Sequence, residues 1–289
     1  MRFEELKVEI DQWLGGYFSG KGTYNKRIYE SMQYSLSVGG KRIRPILMLL
    51  TYSLYKGDYK RIIPVAGAME MIHTYSLIHD DLPCMDNDDL RRGMQTNHIK
   101  FGYPIAVLAG DALLNEAMNI MFDFSMNNGF ESINACSIIS HAAGADGMIG
   151  GQVVDILDEG KSISKEELHY MHSNKTGALI KASILAGAVL GNAEDEHLDI
   201  LESFGEKLGL VFQIKDDILD VEGNTEIMGK KVKSDENNNK TTFVTIYGIN
   251  QCRKMCSTLT EECMQLLCSL NMDVSALKEL TEFLLKRQF

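Results

Sequence analysis

The sequence predicts an all-α fold in a single domain, residues 1–289, and three observations carry that expectation. All 4 prolines, Pro45, Pro64, Pro83 and Pro104, lie within the first 104 residues, and Pro45, Pro64 and Pro104 each stand where an apolar helical pattern begins, a first-turn position that helices tolerate. The proline-free remainder keeps helical periodicity over long windows. "EHLDILESFGEKLGLVFQIKDDILDV" sets Leu198, Leu201, Phe204, Leu208, Val211 and Phe212 on one broad face. No segment alternates apolar and polar residues well enough to make a convincing strand.

From the N-terminus, "MRFEELKVEIDQWLGG" reads as an amphipathic helix and not as the apolar core of a signal peptide. "GGKRIRP" is a glycine-flanked helix start carrying Lys41, Arg42 and Arg44, where free N–H groups and the helix dipole favour an anion. "RPILMLLTYSLY" is apolar nearly all round, as expected of a helix in the middle of a bundle. A turn near Gly57-Asp58 leads into the helix that ends in "LIHDDLPCMDNDDLRRG", and further turns fall at Asn127-Asn128-Gly129, Glu159-Gly160 and Gly191-Asn192. "NKTGAL" places Lys175 and Thr176 at another helix N-terminus. The polar stretch 222–239 is long enough for a mobile loop or lid. Cys252, Cys256, Cys263 and Cys268 share one helix, and with Cys84 and Cys136 they form no CxxC pair, which suits reduced, buried thiols better than zinc or disulfides.

Composition narrows the function classes. A hydrophobic content of 45% suits a globular chain with a sizeable core, and a net charge of −11 argues against nucleic acid or an anionic membrane as the main partner. Any anionic ligand must then be held by local cations. No uninterrupted apolar stretch reaches the length of a membrane span, so a soluble, cytoplasmic protein is expected.

The acidic clusters carry the chemistry. Asp80, Asp81, Asp86, Asp88 and Asp89 crowd one helix end, and carboxylates so close repel unless they are solvated or meet cations. "QIKDDILD" repeats the theme with Asp216, Asp217 and Asp220. Asp216 and Asp220 stand only about 40° apart around a helix. Asp80 and Asp86 would point roughly 120° apart on an ideal helix, but Pro83 frees the chain to turn Asp86 back toward Asp80. Two aspartate groups on two helices can then face each other across a cleft, and oxygen-only ligands suit a hard ion, Mg²⁺, completed by substrate phosphates. Lys41, Arg42, Arg44, Arg91, Arg92, Lys175 and Thr176 supply the opposite charge. Together these groups describe a site for two diphosphates, one gripped through metal and one by Arg, Lys and His alone.

In order and spacing, "GGKRIRP", "DDLPCMD", "GGQVVDILDEGK", "NKTGAL", "QIKDDILD" and "NNNKTTFVTIYG" make the chain resemble the trans-isoprenyl diphosphate synthases, and the bacterial farnesyl-forming kind in particular. The resemblance covers nearly the whole chain. It implies a helical bundle around a deep central cavity, usually a homodimer, binding three Mg²⁺. It implies Asp80, Asp86 and Asp216 as metal ligands, with Asp81, Asp217 and Asp220 as ligands or water-holding neighbours. Lys41, Arg44, His73 and Arg92 would hold isopentenyl diphosphate. Arg91, Lys175, Thr176, Gln213, Lys230 and Lys240 would hold the allylic partner, dimethylallyl or geranyl diphosphate. Gln152 and Asp155 either line the cavity and support metal-bound water or simply pack. Tyr75, about 7.5 Å down the helix from Asp80, would floor the cavity, with Ser76 beside it, and so limit product length to farnesyl diphosphate. The alternatives are a geranylgeranyl diphosphate synthase, a terpene cyclase, or a non-catalytic binder of diphosphates. A cyclase needs no second, metal-free diphosphate pocket, so "GGKRIRP" and Arg92 speak against it.

Overall fold

Leu6, Ile10 and Leu14 recur every fourth residue and all are buried, which gives Phe3–Tyr17 (α1) one core-facing stripe. The computed structural model describes residues 3–222 and 240–286. After α1 come Lys26–Ser37 (α2), Ile43–Ser53 (α3) and Ile63–Asp80 (α4). A small hairpin, Leu90–Arg91 (β1) with Met94–Gln95 (β2), and a short helix, Asn97–Phe101 (α5), lead to the long Tyr103–Asn128 (α6). Then follow Phe130–Ala143 (α7), Met148–Leu157 (α8), Lys165–His172 (α9), Ala178–Gly191 (α10) and Asp195–Glu222 (α11). Phe243–Tyr247 (α12), Ile249–Ser269 (α13) and Ser275–Lys286 (α14) complete the described chain.

Helix α3 is buried on every side from Ile43 to Tyr52, so it occupies the middle of the bundle, packed against α4 and α10. Around that pair, α4 packs on α6, α10 on α7 and α11, and α11 on α13. Pro45, Pro64 and Pro104 all fall in the first turns of α3, α4 and α6, where a missing N–H costs nothing.

Three expectations need correcting. The first is the hairpin: Arg92 (φ 54°) and Gly93 (φ 76°) both take positive φ, the two-residue turn that joins antiparallel strands, and each strand is too short to display alternation. Second, Lys175 and Thr176 do not stand at a helix N-terminus. Helix α9, opened by a Ser164–Glu167 capping box, continues through one π turn, Ser173–Gly177, into α10 with right-handed dihedrals at both junctions. Gly177 fails to stop the helix because α8 and α11 pack against the turn and hold it helical. Third, Cys84 and Cys268 are exposed, while Cys136, Cys252, Cys256 and Cys263 are buried; all six are free. Helix α6 is long and apolar enough to cross a bilayer by length and composition alone, but Asp111, Glu116 and Asp123 interrupt it. Of the expected loop or lid, 222–239, Glu222 ends α11 and 223–239 lie outside the described residues.

One ionic network ties the bundle together at the start of α3. Arg42, in the left-handed region (φ 52°), is 4% exposed and donates to Glu70 Oε1 (2.7 Å), Asp11 Oδ1 (2.8 Å) and the Leu36 carbonyl (2.5 Å). Three helices, α1, α2 and α4, meet on that guanidinium. Arg42→Ala would leave Glu70, itself 2% exposed, as an uncompensated buried charge, so a loss of about 3–5 kcal/mol in urea unfolding is expected. A loss under about 1 kcal/mol would mean that solvent reaches the pair.

Candidate active site

Pro83 has no N–H and shapes the end of α4. Beyond it the chain doubles back: Met85 N donates to Leu82 O (2.9 Å), Asn87 N to Leu82 O (3.1 Å) and Asp86 N to Asp80 O (2.9 Å). Asp86 is thereby returned to the end of α4 beside Asp80. Asp80 accepts from Gln152 Nε2 of α8 (2.5 Å), and its carboxyl is pushed up to about 6, chiefly by burial and further by Asp86 and Asp155 against the pull of Lys175 and Arg91. Asp81 is occupied differently, with both oxygens accepting from Arg91 (2.5–3.0 Å).

Helix α8 reaches this group because Gly151 has no side chain. A Cβ there would lie 2.1 Å from the Lys175 backbone nitrogen, so only glycine lets α8 rest on the π turn. The approach joins Lys175 Nζ to Asp155 Oδ2 at 2.5 Å. Lys240 Nζ stands 3.4 Å from the same oxygen and 3.8 Å from Asp86 Oδ1. Burial alone would lower the Lys175 ammonium, but Asp80 and Asp155 hold it above the usual lysine range, so it stays charged. Asp155 is held below its usual range against burial by Lys175 and Lys240.

The second acidic group closes from α11. Asp217 is buried and takes Gln213 Nε2 (2.9 Å) on one oxygen and the Phe243 backbone N–H (2.7 Å) on the other, which anchors the start of α12. Gln213 in turn accepts from the Thr176 hydroxyl (3.0 Å). Asp220 is buried and Asp216 half-buried, and Asp216 acts electrostatically on Arg44.

A cation pocket adjoins both groups. Arg44 is 9% exposed with Nε unpartnered, and burial brings its guanidinium down to about 10 despite Glu70 and Asp216. Arg92 reaches across to donate to the Gly39 carbonyl, and burial lowers it as well. Burial, followed by Arg44, Arg92 and Arg91, keeps His73 neutral. Lys41 lies between Gly40 and the start of α3. Ser76 spends its hydroxyl on the His73 carbonyl (2.8 Å), whereas the Tyr75 hydroxyl is buried without a partner. Lys230 lies outside the described residues.

Sequence reasoning missed several participants. Glu70 is the buried counter-charge to the pocket, and its only signal was a lone carboxylate inside the apolar run "VAGAMEMIHTYSLI". His172, with both ring nitrogens unpartnered, stacks on Phe243 at 5.2 Å beneath the Lys175 and Lys240 segments. A three-carboxylate ion site ready to coordinate is not formed: among the described residues no three His, Cys, Asp or Glu side chains are close enough to share an ion. Lys175 and Lys240 lie among the carboxylates. The donor set still fits a hard divalent cation, being all oxygen.

Comparison with known proteins agrees with this geometry. A farnesyl diphosphate synthase of Micrococcus luteus is 43% identical over 261 residues, covering 90% of this chain and 89% of its own. A geranylgeranyl diphosphate synthase of Cyanophora paradoxa is 43% identical over 237 residues, covering 81% of this chain and 79% of its own. The crystal structure of the Helicobacter pylori geranyltransferase, complexed with magnesium and isoprenyl diphosphate, superposes with a TM-score of 0.84 at 31% identity, covering 99% of this chain and 97% of that one. The polyprenyl synthetase model matches residues 25–282, and the chain belongs to that family.

Proposed function

We propose that the protein is a prenyltransferase that joins isopentenyl diphosphate head-to-tail to dimethylallyl or geranyl diphosphate and stops mainly at farnesyl diphosphate. One juxtaposition carries the reading: two aspartate groups with Lys175 and Lys240 among them, beside a separate cation pocket of Lys41, Arg44, His73 and Arg92. Two diphosphates can be held at once only by such a pair of sites. Incubation with Mg²⁺, an allylic diphosphate and isopentenyl diphosphate, followed by product chromatography, tests it; no elongated product would end the reading.

Asp80, Asp86 and Asp216 would hold Mg²⁺, three ions by family expectation, and bound Mg²⁺ neutralises charge on the departing diphosphate. The protein groups do the rest. Lys175 and Lys240, with Arg91, Thr176, Gln213 and Lys230, hold the allylic diphosphate so that positive charge already faces the oxygen that becomes anionic as the C–O bond breaks. Asp155 keeps both lysines charged and aimed, and Gln152 steadies Asp80. Arg44, Arg92, Lys41 and neutral His73 fix isopentenyl diphosphate, presenting its double bond to the allylic carbocation. The proton lost at the end leaves on the departing diphosphate.

The two pockets are separable by mutation. Arg44→Ala or Arg92→Ala should raise KM for isopentenyl diphosphate about ten- to a hundredfold, the value of a charge-assisted contact, with a smaller change for the allylic substrate. Equal weakening of both in initial-rate kinetics would mean that the assignments are exchanged. A geranylgeranyl-forming reading is favoured by the Cyanophora paradoxa relative and opposed by Tyr75.

The exposed apolar surface supports a homodimer. Leu108, Phe122 and Met126 of α6 and Phe130 and Ile133 of α7 are exposed large apolar side chains on two helices that pack together, the kind of surface a partner subunit covers. Light scattering should return twice the 32.4 kDa chain mass, and a Phe122→Glu/Met126→Glu variant should return one. A cytoplasmic setting fits six unbonded thiols, two of them exposed.

A further inference from the structure

We propose that His79 is a positioning residue for product length: seated on Gly110 of α6, its imidazole holds the Tyr75 ring in place. The proposal deepens the preceding reading and rests on Tyr75 as the cavity floor. Tyr75 is 5% exposed and its hydroxyl has no hydrogen-bond partner, so packing alone sets the direction of its ring. One helical turn further along α4, His79 meets that ring edge-on, with centroids 5.8 Å apart and planes at 85°.

The imidazole itself is fixed from the neighbouring helix. His79 Nε2 lies 3.0 Å from the Val107 carbonyl, and because a carbonyl only accepts, Nε2 carries the proton. Beneath the ring is Gly110, where a Cβ would come within 2.1 Å of Nε2. Asp111 Oδ1 stands 3.8 Å away. Position, tautomer and tilt of His79 are thus determined by α6, while the ring of Tyr75 has His79 as its aromatic neighbour. Removing the imidazole opens space into which the tyrosine ring can swing, away from the path of the growing chain.

The experiment compares four folded variants, His79→Ala, Gly110→Ala, Tyr75→Ala and His79→Ala/Tyr75→Ala, for product distribution, KM and melting temperature. Expected are a several-fold rise in products longer than farnesyl diphosphate for His79→Ala and an unchanged KM for isopentenyl diphosphate. The double variant should match Tyr75→Ala alone, because His79 acts through that ring. Gly110→Ala, which displaces the imidazole from the opposite helix, should lengthen products in the same direction and provides the test should His79→Ala not fold. A lower melting temperature with an unchanged product distribution would reduce His79 to ordinary packing and overturn the proposal. If Tyr75→Ala lengthens products and neither His79→Ala nor Gly110→Ala does, this proposal fails alone. If Tyr75→Ala itself leaves products unchanged, the floor reading fails and takes the proposal with it.

Discussion

Asp80→Ala and Asp216→Ala are each expected to lower turnover by roughly two to four orders of magnitude, the equivalent of several kcal/mol of lost charge stabilisation at the departing diphosphate. The fold should survive both. Asp80 is already unfavourable as an anion, because burial and the neighbouring Asp86 raise its carboxyl from 3.8 to about 6. Below about pH 3 the group is largely protonated in folded and unfolded chains alike and contributes nothing. As pH rises from about 4 to about 6 the unfolded chain ionises this carboxyl while burial keeps the proton on it in the folded chain, and stability on the order of 2–3 kcal/mol is lost by the time both are ionised. Metal-free Asp80→Asn keeps an acceptor for Gln152 and removes that penalty. It should therefore unfold at higher denaturant than the parent at pH 7.5 and at nearly the same concentration at pH 3. A variant less stable than the parent at pH 7.5 would show that Asp80 holds the apo fold together, contrary to a role as cation holder.

The reach of sequence reasoning differed between helices and charges for a physical reason. Helices α3 and α11 were legible because burial imposes a period on apolar residues, and that period is written in "RPILMLLTYSLY" and "EHLDILESFGEKLG". The reversal at Pro83 was legible too, since a missing N–H has local consequences. Lys175 and Thr176 were misplaced because "NKTGAL" has the composition of a helix start, while the packing of α8 through Gly151 keeps the chain helical. Ion pairs escaped for a related reason. Lys175 to Asp155, Arg91 to Asp81 and Arg42 to Glu70 span between 10 and 28 positions in sequence, and no periodicity announces which cation closes on which carboxylate.

Tyr75→Ala is expected to shift the main product from farnesyl to geranylgeranyl diphosphate and longer chains. A tail whose diphosphate lies at the Asp80 end of α4 runs back along that helix, and Tyr75 stands five positions earlier, about 7.5 Å down the axis. Its ring is buried against His79, so it fills space that an alanine would vacate. The hydroxyl adds nothing to that role. It is buried and unpartnered, so Tyr75→Phe should keep the product unchanged and leave stability equal or higher by about 1 kcal/mol, because a desolvated donor is removed. The alanine variant carries the opposite cost, about 3–5 kcal/mol for emptying a buried aromatic site, and products must be compared at a temperature where circular dichroism shows it folded. The pair of variants separates shape from polarity: ring volume predicts longer products in Ala and none in Phe. Longer products from both would assign product length to the hydroxyl. A folded Ala variant that still stopped at farnesyl diphosphate would move the floor to another residue.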